Sequence, residues 1–203
     1  HQLGLEHAAR LETQGHRCYD VPMGGASPVG SAAFIGGYLE LMQQCEAAGI
    51  APTRVYAATG TGGTLAGLVA GHQALEAGPE IVGVAVSRKD EGYERRCAAL
   101  ANASLAWLGS DVRVTADDFT VDRGYFEPGY EQPNEAANEA IRLLARTEGL
   151  LTDPVYTGKA LAGLLDHIRT GKIRSGETVV FWHTGGATAL FAEQAILGNL
   201  ADK

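Results

Sequence analysis

Along this chain, short β-branched runs alternate with stretches of helical period. "HQLGLEHAARLETQG" predicts a helix near Leu3–Gln14, and a strand is expected near Cys18–Val21. "PMGGASPVGS" follows, with too many Gly and Pro residues for either element. Ser31 can then cap a helix whose apolar face runs Phe34, Tyr38, Leu41 and Cys45. "RVYAA" reads as a strand, the glycine-rich stretch that follows as a loop, and Thr64–Leu75 as a helix. "IVGVAV" (Ile81–Val86) is nearly all apolar, as in a strand covered on both faces. A helix near Glu91–Leu105 and a short strand "DVRVT" come next, then the loop "RGYFEPGYEQP" (Arg123–Pro133). Pro133 and Asn134 open a helix with Ala137, Ile141 and Leu144 on one face, stopped by Gly149. "LLTDPVY" predicts a short strand and turn, and a helix follows from about Gly158 to Ile168. "TVVFWH" is the last strand, "TGG" its turn and "ATALFAEQAIL" the last helix. About five parallel strands, each leading into a helix, define an α/β fold: a mostly parallel twisted sheet with helices on both faces.

Composition narrows the function. The 203 residues suit one domain or a little more, and 45% hydrophobic with 20% charged residues is ordinary for a soluble globular protein. No apolar run is long enough to cross a bilayer, so no membrane partner is expected. With 16 basic against 24 acidic residues, the net charge of −8 lacks the footprint of a nucleic-acid binder. "SRKDEGYERR" mixes both signs and reads as a solvated helix start. Cys18, Cys45 and Cys97 suggest neither a disulfide framework nor a C-x-x-C site, which favours a reducing, cytoplasmic setting. The six His are dispersed, and no metal site is expected.

The chemistry concentrates at "AATGTGGTLAG" (Ala57–Gly67). In open parallel sheets ligands bind at the carboxyl ends of strands, where a helix N-terminus presents free N–H groups and partial positive charge. Gly60, Gly62 and Gly63 let the backbone approach a ligand closely, and Thr59, Thr61 and Thr64 add hydroxyls. A P-loop needs a Lys after its last Gly, and Thr64 stands there. The dinucleotide fingerprint wants Gly or Ala at Leu65 and an acid after the next strand, where Ser87 and Arg88 come first. A cofactor with a single phosphate fits best; the plainer alternative is a glycine-rich turn without a ligand.

Other candidates lie at the same expected edge. Tyr156 falls in a turn just before a helix, and Tyr130 in a loop between Gly129 and Pro133. A phenol keeps its proton at neutral pH and can donate it; packing plugs are the alternative. Thr157 begins a helix and Thr184 ends the last strand, either as ligand contacts or as simple caps. His183 could act as a base, although a strand-end His more often bonds backbone. Lys159 reads as a solvated side chain rather than a Schiff-base lysine.

Four stretches, "VPMGGASPVG", "ATGTGGTLAG", "FEPGYEQPNEAANEAIRLLARTEGLLTDPVYTGKALAGL" and "VVFWHTGGATALFA", resemble the D-cysteine desulfhydrase and 1-aminocyclopropane-1-carboxylate deaminase family. These are pyridoxal-phosphate enzymes with the tryptophan-synthase-β type of fold. The resemblance runs from about Asp20 to Phe191. It implies pyridoxal 5'-phosphate as cofactor, with Gly60, Thr61, Gly62, Gly63 and Thr64 holding its phosphate. It implies that Tyr156 is the active-site phenol, with Tyr130 beside it, and that Thr157 faces the pyridine nitrogen. Deaminases of this family carry Glu at that position and Leu in "HLGG", where this chain has Thr157 and Thr184. That pattern looks like the desulfhydrase branch: a lyase releasing sulfide, pyruvate and ammonia from D-cysteine. A threonine hydroxyl offers the pyridine nitrogen a neutral hydrogen bond where Glu would keep it protonated, which suits β-elimination better than ring opening. The implied partners are a small amino-acid substrate and a second copy of the chain.

The family's Schiff-base lysine lies before anything present here, and none of Lys89, Lys159, Lys172 and Lys203 matches it. The chain therefore reads as a partial enzyme, inactive alone: residues 1–25 the tail of a small domain, 26–203 the large cofactor-binding domain. The rivals are a cyclopropane-carboxylate deaminase, a non-catalytic nucleotide- or ligand-binding α/β domain, and a fragment with no function of its own.

Overall fold

A computed structural model describes residues 2–132 and 134–192. Four strands form one wholly parallel sheet: β1 (Arg54–Thr59), β2 (Glu80–Ala85), β3 (Thr120–Asp122) and β4 (Val179–Trp182), in the spatial order β3-β2-β1-β4. The helices are α1 (Gln2–Glu12), α2 (Pro28–Ala48), α3 (Gly63–Leu75), α4 (Tyr93–Trp107), α5 (Glu135–Glu148), α6 (Thr157–Arg169) and the short α7 (Ala189–Ala192).

The pleat sorts the side chains of β1 between two cores. Val55 and Ala57 face Ile35 and Tyr38 of α2, Leu65 and Leu68 of α3, and Leu105 of α4. Tyr56 and Ala58 face the other way, toward Ala140 of α5 and Leu161 and Leu164 of α6. Helices thus cover both faces, and the central strands are buried almost throughout, as their apolar runs require. Gly67 lets α2 lie hard against α3: a Cβ there would come within 2.3 Å of the Ser31 carbonyl.

The strand order turns back beside β1, with β2 on one side and β4 on the other. Such a switch point opens a crevice beyond the carboxyl ends of the strands. The turn after β1 enters α3 there.

Several expected elements differ. "DVRVT" does not join the sheet, because Asn102 takes its backbone: the Asn102 amide donates to Val114 O (2.7 Å) and accepts from Val114 N–H (2.9 Å). The neighbouring strand is instead Thr120–Asp122, on β2. Cys18–Val21 has no strand partner among the described residues, and the Cys18 thiol donates to Ala8 O of α1. "LLTDPVY" is also irregular, for a reason given below. Ser27, not Ser31, caps α2, accepting from Gly30 N–H (3.1 Å) with Pro28 at the first helical position. Ser31 lies one turn in and is fully buried. Asn134 caps α5, and Gly149 ends it in the left-handed conformation. Pro133 and the later part of "ATALFAEQAIL" lie outside the described residues. The three cysteines are free thiols.

Candidate active site

The turn Gly60–Thr64 forms one wall of a cleft of about 590 Å³, completed by Met23, Gly24, Thr59, Ser87, Tyr130, Tyr156 and Thr184. Segments far apart in sequence meet because β1 and β4 are neighbours and the Tyr130 loop folds back over α6. Of the expected residues, Gly60, Thr61, Gly62, Gly63, Thr64, Tyr130, Tyr156 and Thr184 share this cleft. No acidic side chain is among its lining residues.

The helix α3 begins without a side-chain cap; its N-cap is Gly62, at φ 99°. No acceptor among the described residues takes the N–H groups of Thr61, Gly62, Gly63 or Thr64. Unpaired N–H groups on the first turn of a 13-residue helix, with the dipole behind them, make a site that attracts an anion. Gly62 sits against Cys97 and Tyr93: a Cβ would lie 2.6 Å from Cys97 Sγ, so only glycine fits this bend. Thr59 Oγ1 and the Tyr93 hydroxyl, 2.6 Å apart, tie the strand end to α4. The Ser31 hydroxyl, buried beside Gly63, has no hydrogen-bond partner. An empty-handed backbone cradle and an orphaned hydroxyl behind it fit a bound phosphate group.

Tyr130 and Tyr156 meet edge to face, their ring centroids 5.8 Å apart, with a hydrogen bond between their hydroxyls. That bond, then burial, pushes the Tyr130 phenol above its ordinary pKa, so it stays protonated through neutral pH. The pair owns two protons and uses one between its oxygens. The second is free for a group in the cleft.

Thr157 is the first residue of α6. It is buried outside the cleft lining, and its hydroxyl donates to Asp153 Oδ1 (2.6 Å) and accepts from Asp153 N–H (2.9 Å). Asp153 is the residue that sequence reasoning missed. Its carboxylate accepts from the N–H groups of Val155 (2.8 Å), Tyr156 (2.7 Å) and Thr157 (2.8 Å), which curls "LLTDPVY" into a turn. An Asp three residues before Tyr156 and four before Thr157, just ahead of a helix, was the available signal.

His183 bonds backbone through both nitrogens: Nε2 donates to Leu151 O (2.8 Å) and Nδ1 accepts from Gly185 N–H (3.0 Å). Lys159 is not solvated but fully buried, donating to the carbonyls of Gly129 (2.7 Å) and Phe126 (3.2 Å). It pins the base of the Tyr130 loop. No described lysine lines the cleft. No group of three or more metal-ligating side chains occurs among the described residues, and no described helix is long and apolar enough to cross a membrane.

A parallel α/β layer with a backbone anion cradle at its switch point and two phenols facing it defines a class of small-ligand enzyme. The chain belongs to the family of pyridoxal-phosphate dependent enzymes, whose model matches residues 2–185. It is 44% identical over 185 residues to a D-cysteine desulfhydrase of Salmonella typhi, covering 91% of this chain and 55% of that protein. The same identity and coverage hold for the D-cysteine desulfhydrase of Salmonella newport (strain SL254). Among solved structures, an "ACC deaminase homologue" superposes with a TM-score of 0.85 at 33% identity, over 97% of this chain and 57% of that one. The chain thus spans about half the length of the curated relatives it matches. These likenesses agree with the expected family, cofactor and fold class.

Proposed function

We propose that this chain supplies the phosphate-holding, phenol-bearing part of a lyase that eliminates sulfide from D-cysteine, leaving pyruvate and ammonia. The single observation that carries the reading is the open Gly60–Thr64 cradle facing the Tyr130–Tyr156 pair across one cleft. Gly60, Thr61, Gly62, Gly63 and Thr64 would hold the phosphate of pyridoxal 5'-phosphate through backbone N–H groups and the hydroxyls of Thr61 and Thr64. Once bound, that cofactor supplies an electron sink for charge developing next to the substrate's amino group. Tyr156 offers a proton to the departing sulfur or to the substrate carboxylate, and Tyr130 holds that phenol in place through the bond between their hydroxyls. Thr184, also lining the cleft, would offer the cofactor a neutral hydroxyl. Thr157 acts one step removed, by fixing the Asp153 turn that aims Tyr156.

We place the lysine that bonds the cofactor outside the described residues, because the lysines among them are engaged elsewhere: Lys89 at Gly60, Lys159 at Gly129 and Lys172 at His167. Residues 1–25 would belong with a second, small domain; α1 buries none of its residues, and Leu3, Tyr19 and Val21 are exposed. A small amino acid is the substrate class, and a homodimer in the cytoplasm the expected setting.

The test is to assay the full-length protein, loaded with pyridoxal phosphate, for sulfide and pyruvate from D- and L-cysteine, and for 2-oxobutyrate from 1-aminocyclopropane-1-carboxylate. Sulfide from the D-isomer is expected. Loaded protein that yields only 2-oxobutyrate is a deaminase, and the substrate assignment fails.

A further inference from the structure

"SRKDEGYERR" is only in part the solvated helix start that its mixed charges suggest. Arg96 pairs with Asp90 (2.9 Å) and Arg88 reaches Glu127 (3.8 Å), both at the surface. Lys89 turns inward instead. Its ammonium donates to Gly60 O (2.9 Å) and Ser87 Oγ (2.7 Å) and lies 5.0 Å from the centre of the Tyr93 ring. All three contacts are neutral. None of the ion pairs among the described residues includes Lys89. The nearby cations Arg96 and Arg123 each have a carboxylate, Asp90 and Glu94 respectively. A half-buried ammonium without a counter-charge is costly, and burial pulls its pKa below that of a free lysine. An anion in the adjoining cleft would balance it.

The geometry shows how the charge reaches that cleft. The Gly60–Thr61 peptide is trans, so its C=O and N–H point in opposite directions. Lys89 holds the Gly60 carbonyl on the side of α4, which turns the Thr61 N–H away from Lys89. Ser87 lines the cleft, and its oxygen accepts from Lys89, which leaves its own proton free to donate inward.

We propose that Lys89 is a positioning residue for a phosphate monoester at the Gly60–Thr64 turn: it orients the Thr61 N–H and the Ser87 hydroxyl as donors and places the balancing positive charge behind them. This rests on the reading that the turn holds the phosphate of pyridoxal phosphate. A mere tether between the β1 turn and α4 would support the fold but would not distinguish a phosphorylated ligand from its dephosphorylated form.

The experiment is calorimetric titration of cofactor-stripped full-length protein with pyridoxal 5'-phosphate and, separately, with pyridoxal. Lys89→Met is expected to weaken pyridoxal phosphate binding about tenfold, leave pyridoxal binding within about twofold, and keep the melting temperature; Lys89→Arg should recover most of the loss. Equal weakening of both ligands, or none, overturns the proposal while leaving the cradle intact. Wild-type protein with no preference for the phosphorylated ligand overturns the phosphate reading itself, and Lys89 with it. Should Lys89→Met fail to fold, Ser87→Ala carries the test: selective loss of pyridoxal phosphate affinity supports the route through Ser87, and equal change in both ligands sinks it.

Discussion

The helices α3 and α6 both begin beside the cleft, yet α6 brings its own anion and α3 brings none. At α6 the Asp153 carboxylate gathers three backbone N–H groups and the Thr157 hydroxyl, all within 2.8 Å. At α3 the corresponding N–H groups have no acceptor among the described residues, and glycine occupies the cap where Asp or Ser would otherwise close the turn. The same physics, positive potential at a helix N-terminus, is thus spent internally at one end and kept available at the other. A satisfied terminus holds Tyr156 still, and an unsatisfied one can take a ligand.

The sharpest way to break this contrast is Asp153→Ala. Buried donors left without acceptors cost roughly 1–3 kcal/mol each, with water recovering part, so a loss of about 3–5 kcal/mol in urea unfolding is expected. The variant's α6 should then resemble α3, and added phosphate should stabilise it more than it stabilises the wild type. A loss below about 1 kcal/mol would mean that the carboxylate contributes little beyond what water offers.

Filling the open terminus comes next. Gly62→Ala forces a side chain into φ 99° and against Cys97 Sγ, which together cost about 2–4 kcal/mol through backbone strain and overpacking. Pyridoxal phosphate should then no longer raise the melting temperature. If it still does, the phosphate lies elsewhere in the cleft.

Tyr156→Phe keeps the ring and removes one hydroxyl. Turnover should fall about 100-fold with far-ultraviolet dichroism unchanged. Because the hydrogen bond with Tyr156 is the main cause of the raised Tyr130 pKa, that pKa should move down toward the ordinary phenol value. Tyrosinate absorbance against pH reads the shift, and an unchanged midpoint would show that burial dominates instead.

The open terminus was legible in the sequence and the closed one was not. Three glycines directly after an apolar β-branched strand have few uses other than a close backbone approach, so Gly60–Thr64 announced itself. Asp153 looked like any turn residue, because its role depends on where four donors end up in space. Lys89 and Lys159 depart from the solvated setting their sequence suggests for the same reason: a lysine stem reaches several ångströms, and tertiary packing decides which way it goes. The sheet shows the limit of pattern in another form. "DVRVT" alternates like a strand, but Asn102 satisfied its backbone first. Thr120–Asp122, with only three residues, carries too little pattern to be noticed.

The smallest predicted effect serves as a control, since it lies at the amino ends of the strands, away from the cleft. There Glu177 accepts from Arg174 N–H (3.1 Å), the Thr53 hydroxyl (2.8 Å) and the guanidinium of Arg54 (2.9 Å). The backbone bond from Arg174, then the bond from Thr53, lower its pKa from the usual 4.5 to about 2. A carboxylate whose folded pKa lies below its unfolded one stabilises the fold above the unfolded value. That contribution is present above pH 4.5 and fades as the pH falls toward about 2. Glu177→Gln should therefore flatten the acid limb of the stability curve over that window while leaving phosphate affinity at the other end of the sheet untouched. A change in pyridoxal phosphate affinity in this variant would show that the strand register couples the two ends, and the contrast between α3 and α6 would then belong to the whole sheet rather than to their caps.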